Sequence, residues 1–271
     1  MPSLATLFRL RGASSNRRCH PADRRTLGAN SCNDGGVADA LEVAVVIPAL
    51  DEEGAIGSVV SGFVGLDAVG EVVVVDNGSR DATAARARAA GATVVGAPAR
   101  GYGRACQQGL AYLAERAGGA PDVVVFADGD GANDPDDLRR LLAPISSGEA
   151  DLVLGSRVRL GSRDGLTPPQ RFGNRLAVAL MGLLFGIEAT DLGPFRAIRW
   201  SSLRRLGMSD PDYGWTLQMQ LRAAKAQLRV LEVDVHNHRR LAGRSKVSGT
   251  VRGVVGAGTK ILGMMWTERA W

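Results

Sequence analysis

Residues 123–135 read VVVFADGDGANDP, an apolar run that ends in two carboxylates, Asp128 and Asp130, one residue apart. Carboxylates brought that close repel unless a countercharge stands between them. Hard cations such as Mg²⁺ and Mn²⁺ take oxygen ligands of this kind and commonly share them with a substrate's phosphates. Much later comes RLAGRSK, residues 240–246, a compact cationic loop holding one of only three lysines, Lys225, Lys246 and Lys260. Acids with a metal on one side and arginine and lysine on the other form the clamp that a departing diphosphate needs. Each stretch also has a plainer reading. The acidic one fits a solvated turn in which Asp134 caps a helix starting near Pro135, and the basic one a solvated loop.

The surrounding elements decide what such residues can reach. Val43–Ile47, Glu71–Val75, Thr93–Val95, Val123–Ala127 and Asp151–Leu154 are short apolar runs of the kind that buried parallel strands show. Between them lie helical patterns, one carrying Ile56, Val59, Val60 and Phe63 inward behind an acidic first turn at Asp51, Glu52 and Glu53, another alanine-rich and capped by Asp81. Alternation of this kind predicts an α/β fold with a mostly parallel sheet and crossover helices. Glu52, Asp76, Asp128 and Asp130 then sit at successive strand ends, the edge of an open α/β sheet where ligands bind. Beyond Gly155 a long apolar helix follows Pro168 and Pro169, a strand is expected within 191–199, a helix over 215–227 and a strand over 228–235. An amphipathic helical tail is expected over 247–266, weakened by its glycines.

Composition narrows the class. The 271 residues are 45% hydrophobic, enough for one large domain. The formal net charge is +5. Six arginines against three aspartates in the first 40 residues supply +3 of it, so the fold itself is not a strongly basic nucleic-acid binder. Three cysteines, Cys19, Cys32 and Cys106, have no metal spacing and suit a reduced, cytoplasmic setting. No secretory signal is expected, and residues 1–40 read as a disordered arginine-rich leader. No stretch reaches the length of a membrane span; Leu176–Ile187 is too short. A dinucleotide fingerprint, a P-loop, a serine elbow and an HExxH are all missing from the sequence.

PALDEE at 48–53, VVVVDNGSRDAT at 72–83, DGD at 128–130, GSR at 155–157, FRA at 195–197 and RLAGRSK at 240–246 occur in order. This set resembles family 2 glycosyltransferases of the GT-A fold, particularly the dolichol-phosphate and polyprenyl-phosphate mannosyltransferase-like group. The resemblance covers about residue 43 to the tail. It implies a Rossmann-like GT-A domain over 41–246 followed by an amphipathic tail over 247–271. It also implies a metal-dependent, inverting hexosyltransferase that moves sugar from a nucleotide sugar to a polyprenyl phosphate. Pro48, Glu52 and Asp76 would hold the nucleotide, and Asp128 and Asp130 would bind Mg²⁺ or Mn²⁺. Arg240, Ser245 and Lys246 would close over the diphosphate, and Arg157 and Arg171 would face the acceptor phosphate.

Three positions depart from the pattern. Ala132 stands where a metal-ligating glutamine is common, the 191–196 segment differs from SGFR, and Gln218 replaces an acid. His238 is a further metal candidate, with a solvated strand end as its alternative. The expected partners are a sugar nucleotide, the polyprenyl phosphate and the inner face of a membrane, touched without being crossed by Leu176–Ile187 and the tail. Homo-oligomerisation through the tail is open, and no nucleic acid is expected. Transfer to a soluble hydroxyl, with Asp191 as base, is the nearest alternative. A sugar-1-phosphate nucleotidyltransferase and a non-catalytic binding subunit stand further off.

Overall fold

The computed structural model describes residues 41–158, 168–243 and 263–269. All of them lie within one compact unit, residues 39–271. In chain order the elements are β1 (Val43–Ala49), α1 (Ile56–Val64), β2 (Val69–Asp76), α2 (Thr83–Ala89), β3 (Thr93–Gly96), α3 (Tyr102–Glu115), β4 (Val123–Phe126), a 3-10 turn (Pro135–Asp137) and α4 (Leu138–Ser146). There follow β5 (Leu152–Ser156), α5 (Pro168–Phe185), β6 (Arg196–Arg199), α6 (Trp200–Leu206), α7 (Trp215–Lys225) and β7 (Val230–Asp234). A helical segment at 263–268 closes the described chain.

The strands form one sheet in the order β3-β2-β1-β4-β6-β5-β7. All pairings are parallel except those of β6, which runs antiparallel between β4 and β5. Alternate residues of β1 feed two separate cores. Val45 and Ile47 pack with α1, α2 and α4, whereas Ala44 and Val46 pack with α3, α6 and α7. Burial on both faces is why the strands read as unbroken valine runs instead of alternating ones. A smaller core joins α5, α7 and the 263–268 segment through Met181, Leu217, Leu221, Met264 and Met265.

Several expected boundaries shift. Pro48 does not stop β1; it lies inside the strand opposite Val75. Asp51–Glu53 precede α1 instead of forming its first turn. Asp51 takes a positive φ of 48° and accepts from the Arg80 N–H, so these acids fasten the β1 exit to the β2 exit. Only Arg196–Arg199 of the expected 191–199 strand pairs, because Asp191 is drawn into an ion pair and Gly193 and Pro194 turn the chain. Helix α6 is an element the sequence pattern did not suggest. Of the expected tail, 263–269 alone falls within the described residues, and there Met264, Met265 and Glu268 are buried against the fold. Among the described residues no helix is long and apolar enough to cross a membrane.

Candidate functional site

Parallel pairing puts the carboxyl ends of β1, β2 and β4 on one edge, with Ala49 opposite Asp76 and Val46 opposite Phe126. Because β6 is antiparallel, its amino end reaches the same edge, where Arg196 pairs with both Phe126 and Leu154. There the chain encloses a cavity of about 590 Å³. Pro48, Glu52, Asn77, Arg100 and Tyr102, with Asp212 and Tyr213 next to them, line one part of it, and Asp128, Asp130, Arg157, Leu192, Pro194 and Arg240 line the remainder.

Asp128 lies deep in this cavity beside Asp130. Burial, together with the charge of Asp130, lifts its carboxyl to about 7. The turn that carries the pair is fixed by the Asp128 N–H donating to Asn133 Oδ1 and the Ala132 N–H donating to Asp130 Oδ1. Gly131 takes φ 80°, and a β-carbon there would fall 2.5 Å from Leu241 Cδ1. Only glycine allows both the left-handed backbone and the close approach of the basic loop. The start of that loop, residues 240–243, lies against the acids: the Leu241 N–H donates to the Asp130 carbonyl. Arg240 joins Glu52 at 2.6 Å and Asp130 at 2.9 Å.

Across the cavity, Arg157 donates to both oxygens of Asp191, from Nε at 2.7 Å and Nη2 at 2.8 Å. Asp191 is 1% exposed. Burial alone would raise its carboxyl, but the hydrogen bonds and charge of Arg157 more than offset this and hold it below the usual range. The segment around it is fastened at many points. Glu232 accepts from Thr190, Asn174 accepts from the Leu192 N–H, and Gln220 donates to the Asp191 carbonyl. The fully buried Arg196 donates to the Gly193 and Thr216 carbonyls, and burial lowers its guanidinium to about 10.

The structure therefore brings Pro48, Glu52, Asp128, Asp130, Arg157 and Arg240 together. Asp76 is not among the lining residues; its Oδ1 accepts from the Ser79 N–H, and its neighbour Asn77 faces the cavity instead. Arg171 lies exposed on the first turns of α5 and is not among the lining residues. Ser245 and Lys246 lie outside the described residues. His238 directs Nε2 to Asp134 Oδ2 at 3.1 Å instead of to the Asp128–Asp130 pair. Asp134, Asp137 and His236 do bring one ligand atom each within 4.8 Å of one another. His236 Nδ1 lies 3.1 Å from Asp137, and the two histidine rings stack at 6.3 Å, so these pairs pin the β7 exit to the turn after β4.

Comparison with known proteins settles the family. The profile described as Glycosyl transferase family 2 matches residues 44–207. The chain belongs to that family. This glycosyltransferase is 37% identical over 215 residues to an uncharacterized glycosyltransferase of Mycobacterium tuberculosis, covering 79% of this chain and 93% of the relative. It is 35% identical over 203 residues to an undecaprenyl-phosphate mannosyltransferase of Micrococcus luteus, covering 70% and 80%. Among solved structures it resembles glucosyl-3-phosphoglycerate synthase of M. tuberculosis in complex with Mn²⁺, UDP-glucose and phosphoglyceric acid. The TM-score is 0.67 and the identity 26%, over 85% of this chain and 81% of that one.

The GT-A sheet expected from the sequence is the one observed. Asp212 stood out in the sequence, beside Asp191, as an acid that could serve as a base, whereas Arg100, Tyr102 and Tyr213 of the cavity were not foreseen as site residues. The Gly101–Tyr102–Gly103 turn was visible there as a helix start, but nothing local links it to residues 212–213.

Proposed function

We propose that this glycosyltransferase moves a hexose from a nucleotide sugar to a polyprenyl phosphate, with inversion and with a divalent cation. The observation that carries this reading is the opposition, within one cavity, of the Asp128–Asp130 pair and an arginine locked in place by a buried carboxylate. The donor set fits a hard divalent ion: two carboxylates side by side in the cavity, one of them lifted to about 7 by burial and by the charge of the other. Bound there, Mg²⁺ or Mn²⁺ would neutralise the charge that develops on the leaving diphosphate. Pro48, Glu52 and Asn77 would seat the nucleoside, while Arg240 and Lys246 would close over the diphosphate. Asp76 would act on the nucleotide through the turn it stabilises.

Arg157 would orient the acceptor's phosphate toward the anomeric carbon, with Arg171 meeting it from α5. A phosphate monoester is largely ionised near neutral pH and needs no strong general base. That agrees with Asp191, whose carboxylate is committed to Arg157 and is not offered to a hydroxyl. The outer face of α5 supports a lipid-borne acceptor. Phe172 is 70% exposed and Leu183 80% exposed, with Arg171 and Arg175 exposed beside them. Apolar side chains flanked by arginine suit an anionic membrane surface.

A second reading rests on the phosphoglyceric acid complexes of the structural neighbours. A small soluble phosphorylated acceptor would meet the same Arg157. Radiolabelled transfer from UDP-, GDP- and dTDP-sugars to undecaprenyl phosphate or to 3-phosphoglycerate separates the two. Product in the organic phase alone supports the lipid acceptor, and product in water alone overturns it. Flotation with anionic and zwitterionic vesicles checks the membrane contact.

A further inference from the structure

The position where Gln218 replaces an acid has a structural partner at the far end of the chain. Gln218 Oε1 accepts from the backbone N–H groups of Ser209 and Asp210, at 2.9 and 2.8 Å. Its Nε2 donates to Glu268 Oε1 at 2.9 Å. Glu268, 3% exposed, also accepts from Arg222 Nε at 3.0 Å, and Arg222 donates onward to Ser209 Oγ and to the Leu206 and Gly207 carbonyls. An amide accepts from two backbone donors through its oxygen while its nitrogen donates to a carboxylate, whereas an ionised acid can only accept. An acid at 218 would face Glu268 with like charge.

What this network holds is one wall of the cavity. Residues 209–214 run from the two amides fixed by Gln218 to Asp212 and Tyr213, which line the cavity beside Arg100, Gly101 and Tyr102. The wall leans on α3, where a β-carbon at Gly103 would lie 2.0 Å from the Asp210 carbonyl oxygen and the Arg104 N–H donates to the Pro211 carbonyl. Beneath it, Met264 Cε occupies the space that a side chain on residue 214 would need. The 263–268 segment thus supports the wall at two points, through Met264 and through Glu268.

We propose that Glu268 and Gln218 are positioning residues for the sugar-nucleotide side of the cavity. Acting with Arg222, they set where Asp212 and Tyr213 stand, so the chain's C-terminal segment tunes donor binding without touching the donor. This rests on the reading of the cavity as the donor site.

The test exchanges the two groups. Glu268→Gln leaves the buried Arg222 without its carboxylate, Gln218→Glu sets two carboxylates side by side, and the double exchange restores one carboxylate, four residues from Arg222 on the same helix. In each single variant, amide hydrogen exchange at Ser209 and Asp210 is expected to quicken by about tenfold, with the β1 and β4 amides unchanged. KM for the donor is expected to rise about fivefold at nearly constant kcat, in the presence of Mn²⁺ and whichever of the UDP-, GDP- and dTDP-sugars is turned over. The double exchange should return both readouts to within about twofold of the original.

Faster exchange with unchanged KM would reduce the network to a structural brace and overturn the proposal, as would single variants with unaltered exchange at these amides. Turnover of none of the sugars would strike the cavity reading, whereas exchange at the two amides still decides the brace. If one single variant fails to fold, the other single variant and the double exchange carry the same comparison.

Discussion

The two sides of the cavity are built by different means. On the side proposed for the donor, Pro48, Glu52, Asn77, Asp128 and Asp130 follow directly from three adjacent parallel strands, and short turns place them. On the side proposed for the acceptor, Arg157 is held by Asp191, and the loop bearing Asp191 is held in turn by Glu232, Asn174, Gln220 and Arg196 from four separate elements. The first side is positioned by sheet geometry. The second is positioned by a buried polar network, where every member must be satisfied or the cost is high. Function and stability should therefore separate on the donor side and travel together on the acceptor side.

Substitutions can break that contrast. Asp130→Ala is expected to cut transfer by at least ~10³-fold while lowering the urea midpoint only slightly, since relief of the crowding with Asp128 offsets the lost Arg240 pair and Ala132 N–H bond. A variant that transfers normally with saturating Mg²⁺ or Mn²⁺ would remove the acids from the chemistry. Asp191→Ala should cost about 3–5 kcal/mol of stability, because it strands Arg157 in a largely buried place, and should raise the acceptor KM as well. A stable variant with an unaltered acceptor KM would erase the proposed difference between the two sides. Lys246→Ala is expected to lower kcat by about 10²-fold with folding untouched. If only the donor KM moves, Lys246 contributes uniform binding instead of leaving-group stabilisation.

The smallest effect concerns acid. The Asp191 carboxyl is held below its ordinary value, so the folded state binds its proton less readily than the unfolded chain does. The stability it contributes is present above the unfolded value, about pH 4, and is lost as pH falls through the lower folded one. Urea midpoints between about pH 2 and 5 should fall more steeply in the original protein than in Asp191→Asn. Equal slopes would show that the pair with Arg157 does not form in solution.

This contrast also explains what the sequence could reveal. The donor side was legible because valine runs that end in acids are local signals, as at Val123–Asp130 and Val72–Asp76. At the β2 exit the cavity is lined by Asn77, one step beyond Asp76, and successive side chains on a strand point in opposite directions. The acceptor side was legible only at Arg157. Asp191 could be seen as a charged residue but not as that arginine's partner, since the two are 34 positions apart and no periodicity joins them. Gln218 looked like a lost acid until the structure placed Glu268 against it. His238 was a metal candidate in the sequence, and only the structure shows its Nε2 placed 3.1 Å from Asp134 Oδ2.

The antiparallel course of β6 has a consequence of another kind. The chain leaves the sheet after Ser156 and returns at Arg196, and the Gly155 N–H donates to the Phe195 carbonyl at 2.9 Å. The two ends of the excursion are thus joined by a hydrogen bond and paired within the sheet. An excursion with such ends can lengthen, shorten or be replaced at little entropic cost, because closing a loop grows more expensive only with the logarithm of its length. Residues 157–195 form a cassette in this sense, clipped at one stem and carrying its own arginine, anchor loop and helix. On the proposed division of the cavity, exchanging that cassette between relatives should swap what receives the sugar while leaving untouched the part of the molecule that supplies it.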